Sequence, residues 1–361
     1  MYLKSIQLTN FKNYSDSFFE FTDNVNVIVG ENGSGKTNLL DAIHYLSFCK
    51  SYFASQDGFS IKFEQDFFAI HGEFAQYEDN LSQKISCTFR QGGRKTMKAN
   101  MKEYERLSDH IGRYPLIMVA PYGNDLINDG SEVRRKFIDV ILSQFYKEYL
   151  HKLIDYQKII IHRNSIFKQY YETGQLNSEL LYIYNEQLIP IGTYIYERRK
   201  DFIETIIPIF QKYYNYLSGN KEVVQIGYQS PVADCSYEEG LKRSEQADYK
   251  SGYTTFGIHK DDYVFYLNNK SAKRFCSQGQ QKSLALSLKL SQFDYIYERK
   301  HIKPILLLDD IFDKLDLKRI TQLLHLVGDE HFGQVFISDT DEQRIHHIFD
   351  LHGIQNKMFR L

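Results

Sequence analysis

The sequence contains no tryptophan and only four cysteines among its 361 residues. No two cysteines have the short spacing of a zinc site or redox pair, and so few in a long chain disfavour a disulfide framework. No apolar run approaches the roughly 20 residues that cross a bilayer. The amino terminus, MYLKSIQLTNF, lacks the apolar stretch and cleavage site of a secretory signal. We therefore expect a cytoplasmic protein without membrane segments.

The charges nearly balance, since the chain has 44 Lys and Arg residues and 46 Asp and Glu residues. This balance does not indicate nucleic-acid binding, and it does not exclude it, because a local basic face needs no global excess. The length predicts two or three domains. Residues 1–115 show strand patterns around one helical pattern. Residues 116–218 show long helix patterns, and Ser131 is expected to cap the first of them. Strand patterns return in 219–361. A mostly helical lobe is therefore predicted to be inserted into an α/β lobe.

The stretch GENGSGKT at 30–37 matches the P-loop pattern G-x-x-x-x-G-K-[ST] at every fixed position. A valine-rich strand pattern precedes it and a helix pattern follows, as the motif requires. Its glycines allow backbone N–H groups to point at phosphate oxygens, and the helix start favours the same anion. We expect Lys36 to contact the β- and γ-phosphates of ATP and Thr37 to hold Mg²⁺. The predicted nucleotide-binding residues are Gly30, Glu31, Asn32, Gly33, Ser34, Gly35, Lys36 and Thr37.

The stretch PILLLDD at 304–310 is an apolar run that ends in two carboxylates. Together with a P-loop, it predicts a parallel strand beside the P-loop strand. Asp309 would then reach Mg²⁺ through water, and Asp310 would face the γ-phosphate and orient the attacking water.

A third motif, SQGQQKSLALSLKL, begins at Ser277 and passes from a polar turn into a helix pattern. Ser277, Gly279 and Gln280 resemble the signature loop of ABC ATPases. The order of P-loop, insertion, signature loop, acidic strand end and KLD at 314–316 is that of an ABC-type head of the SMC kind. The predicted fold class is α/β: a P-loop ABC-type ATPase head with an inserted mostly helical lobe.

The whole chain resembles the RecF family of DNA replication and repair proteins. The similar stretches are YLKSIQLTNFKNY, VGENGSGKTNLLDAIHYLS, RRKFID, YQKIIIHRN, GIHKDD, SQGQQ and LLLDDIFDKLD. The chain departs from the family at Ile258 and Lys260, where G-P-H-R-D-D is usual, and at Lys12, where F-R-N-Y is usual. Lysine keeps the charge of arginine and loses its bidentate fork. In QVFISDTDEQ, Asp339 and Thr340 stand where transport ATPases carry a switch histidine.

The resemblance implies a homodimer that closes on two ATP molecules. Ser277 and the Gly279 N–H of one chain would touch the γ-phosphate held by Lys36 of the other, and Asp316 would lie at the dimer seam. It also implies a weak DNA-stimulated ATPase that acts as a clamp switch. The DNA would be duplex or a single-strand/double-strand junction, and RecR and RecO would help to load RecA in recombinational repair, replication and the SOS response. The alternative is an SMC-like head, or an ATP-binding scaffold with little hydrolysis.

Two short basic stretches are the candidate DNA contacts, because phosphates attract such residues. Arg134 and Arg135 form one, and Arg94 and Lys95 lie at the other, in a predicted hairpin turn at 91–95. Three further assignments stay open: His259 is either structural or part of the nucleotide interface, Gln65 is a weak candidate Mg²⁺ or water ligand, and Arg198, Arg199 and Lys200 are interpreted as a helix surface.

Overall fold

The computed structural model describes residues 1–76, 81–120, 125–219, 222–311, 317–328 and 330–361. The chain divides into two compact units. The first unit comprises Met1–Asn124, Tyr213–Lys221 and Gln278–Leu361, and the second comprises Asp125–Lys212 and Glu222–Ser277. Among the described helices, none is both long and apolar enough to cross a membrane.

The strands and helices are numbered in chain order. The strands are β1 (Tyr2–Phe11), β2 (Tyr14–Glu20), β3 (Val25–Val29), β4 (Phe67–Ala75), β5 (Ser82–Arg90), β6 (Thr96–Ala99), β7 (Lys102–Glu103), β8 (Leu116–Val119), β9 (Val224–Gln229), β10 (Asp262–Leu267), β11 (Lys270–Ser271), β12 (Ile305–Asp309), β13 (Val335–Asp339) and β14 (Asn356–Arg360). The helices are α1 (Lys36–Phe48), α2 (Asp125–Asn128), α3 (Ser131–Phe145), α4 (Lys147–Thr173), α5 (Ser178–Ser218), α6 (Tyr237–Ser251), α7 (Ala272–Phe275), α8 (Gln278–Lys300), α9 (Leu317–Val327) and α10 (Glu342–His352).

The first unit contains two sheets of different character. One is antiparallel, with strand order β2-β1-β4-β5-β6-β7, and its β5–β6 connection is the hairpin predicted at 91–95. The other is parallel, with order β14-β3-β13-β12-β8. Helix α1 packs against strands of both sheets and is buried on nearly every side. The P-loop helix therefore lies in the core of this unit.

The parallel sheet corrects two expectations from the sequence. Strand β13 lies between β3 and β12, so the prediction that the acidic strand would pair directly with the P-loop strand is wrong. Residues 116–119 form an edge strand beside β12, although the sequence pattern assigned them to the helical segment. A run of four buried apolar residues has no periodicity that could distinguish strand from helix.

The second unit contains α2, α3, α4, most of α5, α6, α7 and the antiparallel sheet β11-β10-β9. Residues 222–277 pack in this unit, whereas the sequence grouped 219–361 with the α/β lobe. Ser131 is the first residue of α3, and Gly130 occupies the cap position without a side-chain hydrogen bond, so the predicted serine cap is wrong.

Candidate nucleotide-binding site

The P-loop joins β3 to α1, and its backbone has the shape that its glycines allow. Gly33 and Gly35 have φ angles of 87° and 115°, in a region that other residues rarely adopt. A Cβ atom on Gly35 would also lie 2.5 Å from Asn13 Nδ2. Glycine is thus required at position 35 both by backbone conformation and by the space available.

Two residues from the β1–β2 turn hold the loop from outside. Asn13 Nδ2 donates a hydrogen bond to the carbonyl oxygen of Ser34 (3.2 Å), and the Tyr14 hydroxyl donates to that of Gly35 (3.1 Å). Asn38 on α1 donates to Asn13 Oδ1 (2.8 Å). No motif in the sequence predicts a role for Asn13 or Tyr14. The signal was present in the quoted stretch NFKNY, but only the fold brings that turn to the P-loop.

Lys36 is nearly buried, at 7% exposure, at the start of α1. Its ammonium group donates to the carbonyl oxygens of Gly30 (2.7 Å) and Glu31 (2.8 Å). The Lys36 side chain therefore extends back across the P-loop and places its ammonium group beside the first two residues of the loop. Ser34 Oγ is also buried in this loop and has no hydrogen-bond partner among the described residues.

One carboxylate oxygen of Asp309, at the end of β12, accepts hydrogen bonds from both α1 and β13. Asp309 Oδ1 accepts hydrogen bonds from the Thr37 hydroxyl (3.1 Å) and from the Ser338 hydroxyl (2.6 Å). Asp309 is 2% exposed and Ser338 is fully buried. Burial raises the pKa of Asp309 above its ordinary value, against the two hydrogen bonds, which lower it. The structure thus brings together Thr37 and Asp309, as the sequence predicted, and adds Ser338.

Asp310 follows β12 in a left-handed conformation, with φ of 44°. Its backbone N–H donates to Ser338 Oγ (3.0 Å), so the same serine contacts both consecutive aspartates. At the end of β13, Asp339 is fully buried and accepts two hydrogen bonds from Arg344 Nη2 (2.7 and 2.8 Å). An Asp–Arg pair therefore occupies the strand end where transport ATPases have a histidine.

The side chains at this site fit a triphosphate with Mg²⁺. A buried hydroxyl on Ser34 and the cation of Lys36 suit phosphate oxygens, and the oxygens of Thr37 and Asp309 are the hard ligands that Mg²⁺ prefers. Among the described residues, no group of three His, Cys, Asp or Glu side chains is arranged to hold a metal.

The predicted signature loop lies at the start of α8. Ser277 is exposed and immediately precedes the helix, and Gly279 lies in its first turn. A Cβ atom on Gly279 would lie 3.7 Å from Arg319 Nη1. The stretch 313–316, which contains Asp316, lies outside the described residues.

Two of the four predicted DNA-contact residues, Arg134 and Lys95, already form ion pairs with carboxylates of the same chain. Arg134 forms a bidentate pair with Asp262 (2.7 and 3.0 Å) and also donates to Asp129 O. Lys95 pairs with Asp57 at 2.8 Å. These contacts disfavour the predicted DNA role for both.

The other two predicted DNA-contact residues, Arg135 and Arg94, are accessible to solvent. Arg135 is partly exposed and donates a hydrogen bond to Asp261 O. Arg94 is exposed and donates a hydrogen bond of 3.4 Å to Glu105 O. Both remain predictions as DNA contacts.

The residues left open by the sequence have local partners. His259 bonds to the Tyr156 hydroxyl (2.8 Å) and to Thr254 O (3.0 Å), and burial lowers its pKa to about 4, which favours the structural interpretation. Gln65 is exposed and accepts from Asn10.

Two further basic residues named from the sequence, Arg199 and Lys12, form ion pairs with buried carboxylates. Arg199 is buried and pairs with Asp139 and Asp261, so it does not belong to a helix surface. Lys12 pairs with the buried Asp41 at 2.6 Å, a contact that needs no fork.

Comparison with known proteins identifies a family over nearly the whole length. Residues 2–358 match the model described as the RecF/RecN/SMC N terminal domain. The chain is 42% identical over 361 residues to the DNA replication and repair protein RecF of Flavobacterium johnsoniae, covering 100% of both chains. It is 43% identical to the protein of that name from Bacteroides fragilis, covering 100% of this chain and 96% of the relative.

Solved structures agree with this assignment. The recombination mediator protein RecF-ATPrS in the RecFOR pathway superposes with a TM-score of 0.89 at 29% identity, covering 100% of this chain and 96% of that one. An SMC head bound to the C-winged helix domain of ScpA has a TM-score of 0.58 at 16% identity, covering 100% and 94%, which is a likeness of fold. The chain therefore belongs to the RecF family of DNA replication and repair proteins and has the ABC-type ATPase head fold.

Proposed function

We propose that this protein is a DNA-binding ATPase that dimerises on ATP and serves as a clamp switch. The observation that carries the proposal is the convergence of Thr37 and Ser338 on Asp309 beside the P-loop. The relatives whose structures are described as RecF-ATPrS and RecF-ATP, at 29% and 31% identity, support ATP as the ligand.

The residues of the site have separable roles in this proposal. The backbone of residues 30–37 holds the phosphates, and Lys36 exchanges its bonds to Gly30 O and Glu31 O for phosphate oxygens. Thr37 and Asp309 would hold Mg²⁺, the latter through water, and the ion would supply positive charge to the phosphates. Asp310 orients the attacking water, and its backbone is fixed for this purpose by Ser338.

The signature loop completes the site of a second copy. Ser277 is exposed immediately before α8 and Gly279 lies in its first turn, and in this proposal the Ser277 hydroxyl and the Gly279 N–H contact the γ-phosphate held by a second copy. A helix start favours an anion such as the γ-phosphate. Hydrolysis then removes the charge that bridges the two copies, and the dimer opens.

The biological role that we propose follows the family. The dimer binds duplex DNA and single-strand/double-strand junctions in the cytoplasm and promotes RecA loading together with RecR- and RecO-type mediators. The relatives' description as recombination mediators in the RecFOR pathway supports this role. Arg135 and Arg94 are the basic residues that we retain as DNA contacts, since each is at least partly exposed.

The test separates nucleotide binding from dimerisation. Lys36→Ala should lose ATP binding and therefore both turnover and ATP-dependent dimerisation. Ser277→Arg should retain ATP binding, measured with a fluorescent analogue, and lose dimerisation in sedimentation velocity. Lys136→Ala, which changes an exposed residue on α3, is the matched control. Equal dimerisation by the Ser277 variant and the control would refute the capping role.

The alternative is a scaffold that binds ATP with little hydrolysis. It is favoured by one observation, since Asp310 is shorter than the glutamate common at this position in ABC heads. Single-turnover hydrolysis with and without duplex DNA decides between the two. A rate that DNA does not raise, with dimerisation intact, supports the scaffold.

A further inference from the structure

A cavity of about 1070 Å³ opens in the first unit. It lies at the amino-terminal ends of the parallel strands, whereas the P-loop follows the carboxyl end of β3. Asn24, Tyr114, Lys303 and Gly333 line it, and each shortly precedes a strand of that sheet. The P-loop and Asp309 lie at the other ends of these strands. Strands of five residues span roughly 16 Å, so the cavity is separate from the candidate nucleotide site.

The described residues that line the cavity carry an excess of positive charge. Arg113, Lys300 and Lys303 are among them, and Asp23 is the single carboxylate in that described set. Lys300 Nζ donates to Gly112 O, and burial lowers the pKa of this lysine.

Arg113 donates to Asp109 O and lies over the Tyr104 ring, and Lys300 donates to Gly112 O, so both of these cations contact neutral groups. Within the described residues, neither Arg113 nor Lys300 forms an ion pair with a carboxylate. Lys300 is partly buried, so an incoming anion would offset the cost of its desolvation, whereas the exposed Arg113 offers a charge at the cavity surface.

Apolar surface lies beside these cations. The partly exposed Tyr297 lines the cavity, and in its wall the buried rings of Phe74 and Tyr114 pack at a centroid distance of 4.1 Å. Leu81 lines it too, with 64% of its surface exposed. The volume lies just above the usual range for small-molecule pockets, and a simple inorganic anion would leave both the space and the apolar surface unused.

We propose that this cavity binds an acidic peptide segment of a partner protein, with aspartate or glutamate beside aromatic or large aliphatic residues. The carboxylates pair with Arg113 and Lys300, and the apolar side chains pack on Tyr297 and Leu81. The charge complementarity and the mixed lining favour this occupant over a phosphate compound, which would use the cations alone.

The probe is a fluorescein-labelled peptide of alternating aspartates and phenylalanines, and its binding to the full chain is measured by fluorescence anisotropy. The double variant Arg113→Glu, Lys300→Gln should bind it at least roughly ten-fold more weakly, and added salt should weaken binding to the unchanged protein. Lys102→Glu, which reverses an exposed charge on β7 of the same unit, should bind as the unchanged protein does. Arg113→Glu alone serves as a second variant, because Arg113 is exposed and its replacement leaves the Lys300–Gly112 contact in place.

Two control compounds separate the outcomes. A peptide in which alanine replaces phenylalanine should bind more weakly, and tripolyphosphate should displace the probe poorly. Equal binding of the probe by the double variant, once its thermal unfolding is shown to be cooperative, would overturn the site. Equal binding of the alanine peptide together with displacement by tripolyphosphate would make it a general anion site and overturn the peptide assignment.

Discussion

Ser338 and Asp309 lie at the ends of neighbouring strands and share a buried hydrogen bond of 2.6 Å from the serine hydroxyl to Asp309 Oδ1. Because the same hydroxyl accepts the N–H of Asp310, one side chain on β13 fixes the positions of both carboxyl residues at the end of β12. The serine does not need to touch nucleotide to influence hydrolysis.

Replacing this serine should reduce turnover more than binding. Ser338→Ala removes a hydrogen bond to a charged group, which costs about 1.5 kcal/mol, or ~ten-fold in rate if it acts on the transition state. We expect ATP hydrolysis to fall by that order while the Kd for ATP changes little. Ser291→Ala, a buried serine that bonds only within α8 in the described contacts, is the control. A Kd that worsens as much as the rate would contradict a positioning role.

The β1–β2 turn should control nucleotide affinity from outside the P-loop. Tyr14→Phe removes the hydrogen bond to Gly35 O, and the loss of about 1 kcal/mol corresponds to a roughly five-fold weaker Kd for ATP. Titration calorimetry measures this change. Tyr263→Phe is the matched control, because the Tyr263 hydroxyl has no hydrogen-bond partner among the described residues. Unchanged affinity in the Tyr14 variant would show that the loop holds its shape without this contact.

Arg134 should contribute to stability and little to DNA binding. Arg134→Ala removes the bidentate pair and leaves Asp262 with its bond from Tyr263 N, and the loss should lower the free energy of unfolding by about 2 kcal/mol. The salt dependence of DNA binding should keep its slope, whereas charge reversal at Arg135 should reduce it. Urea denaturation and binding at several salt concentrations test both points. A flattened slope in the Arg134 variant, with stability retained, would restore Arg134 as a DNA contact.

His110 should make stability depend on pH in the mildly acidic range. Burial lowers its pKa from 6.5 to about 4, and its ring bonds to Leu46 O. Between these values the unfolded chain binds the proton and the folded chain does not, so stability is full above pH 6.5 and falls towards pH 4. The loss from this residue approaches about 3 kcal/mol. In urea titrations, His110→Gln should lose less stability than the unchanged protein over that range. Parallel curves would show that His110 does not supply the difference.

Contiguous motifs were predictable because their chemistry is local. The P-loop of 30–37 contains its own glycines, lysine and hydroxyl, and the strand before it and the helix after it are confirmed. The family resemblance over the whole chain is confirmed as well. The residue-level roles in catalysis and DNA binding stay predictions.

Partners that are distant in the chain were not predictable from one sequence. Arg134 looks like a surface cation until Asp262 is placed beside it, and Arg199 looks like part of a helix face until Asp139 and Asp261 are found around it. A basic pair in a helix has the same local pattern whether its charge meets solvent or a buried carboxylate.

The sequence by itself determined the loop between β3 and α1 and predicted that phosphate binds there, because glycine conformations and a helix start act within a few residues. Only the tertiary structure decided that β13 separates the P-loop strand from the acidic strand, and that Ser338 would hold both aspartates. Strand order and side-chain meeting points depend on which surfaces pack together across the whole chain, and no local stretch of residues contains that information.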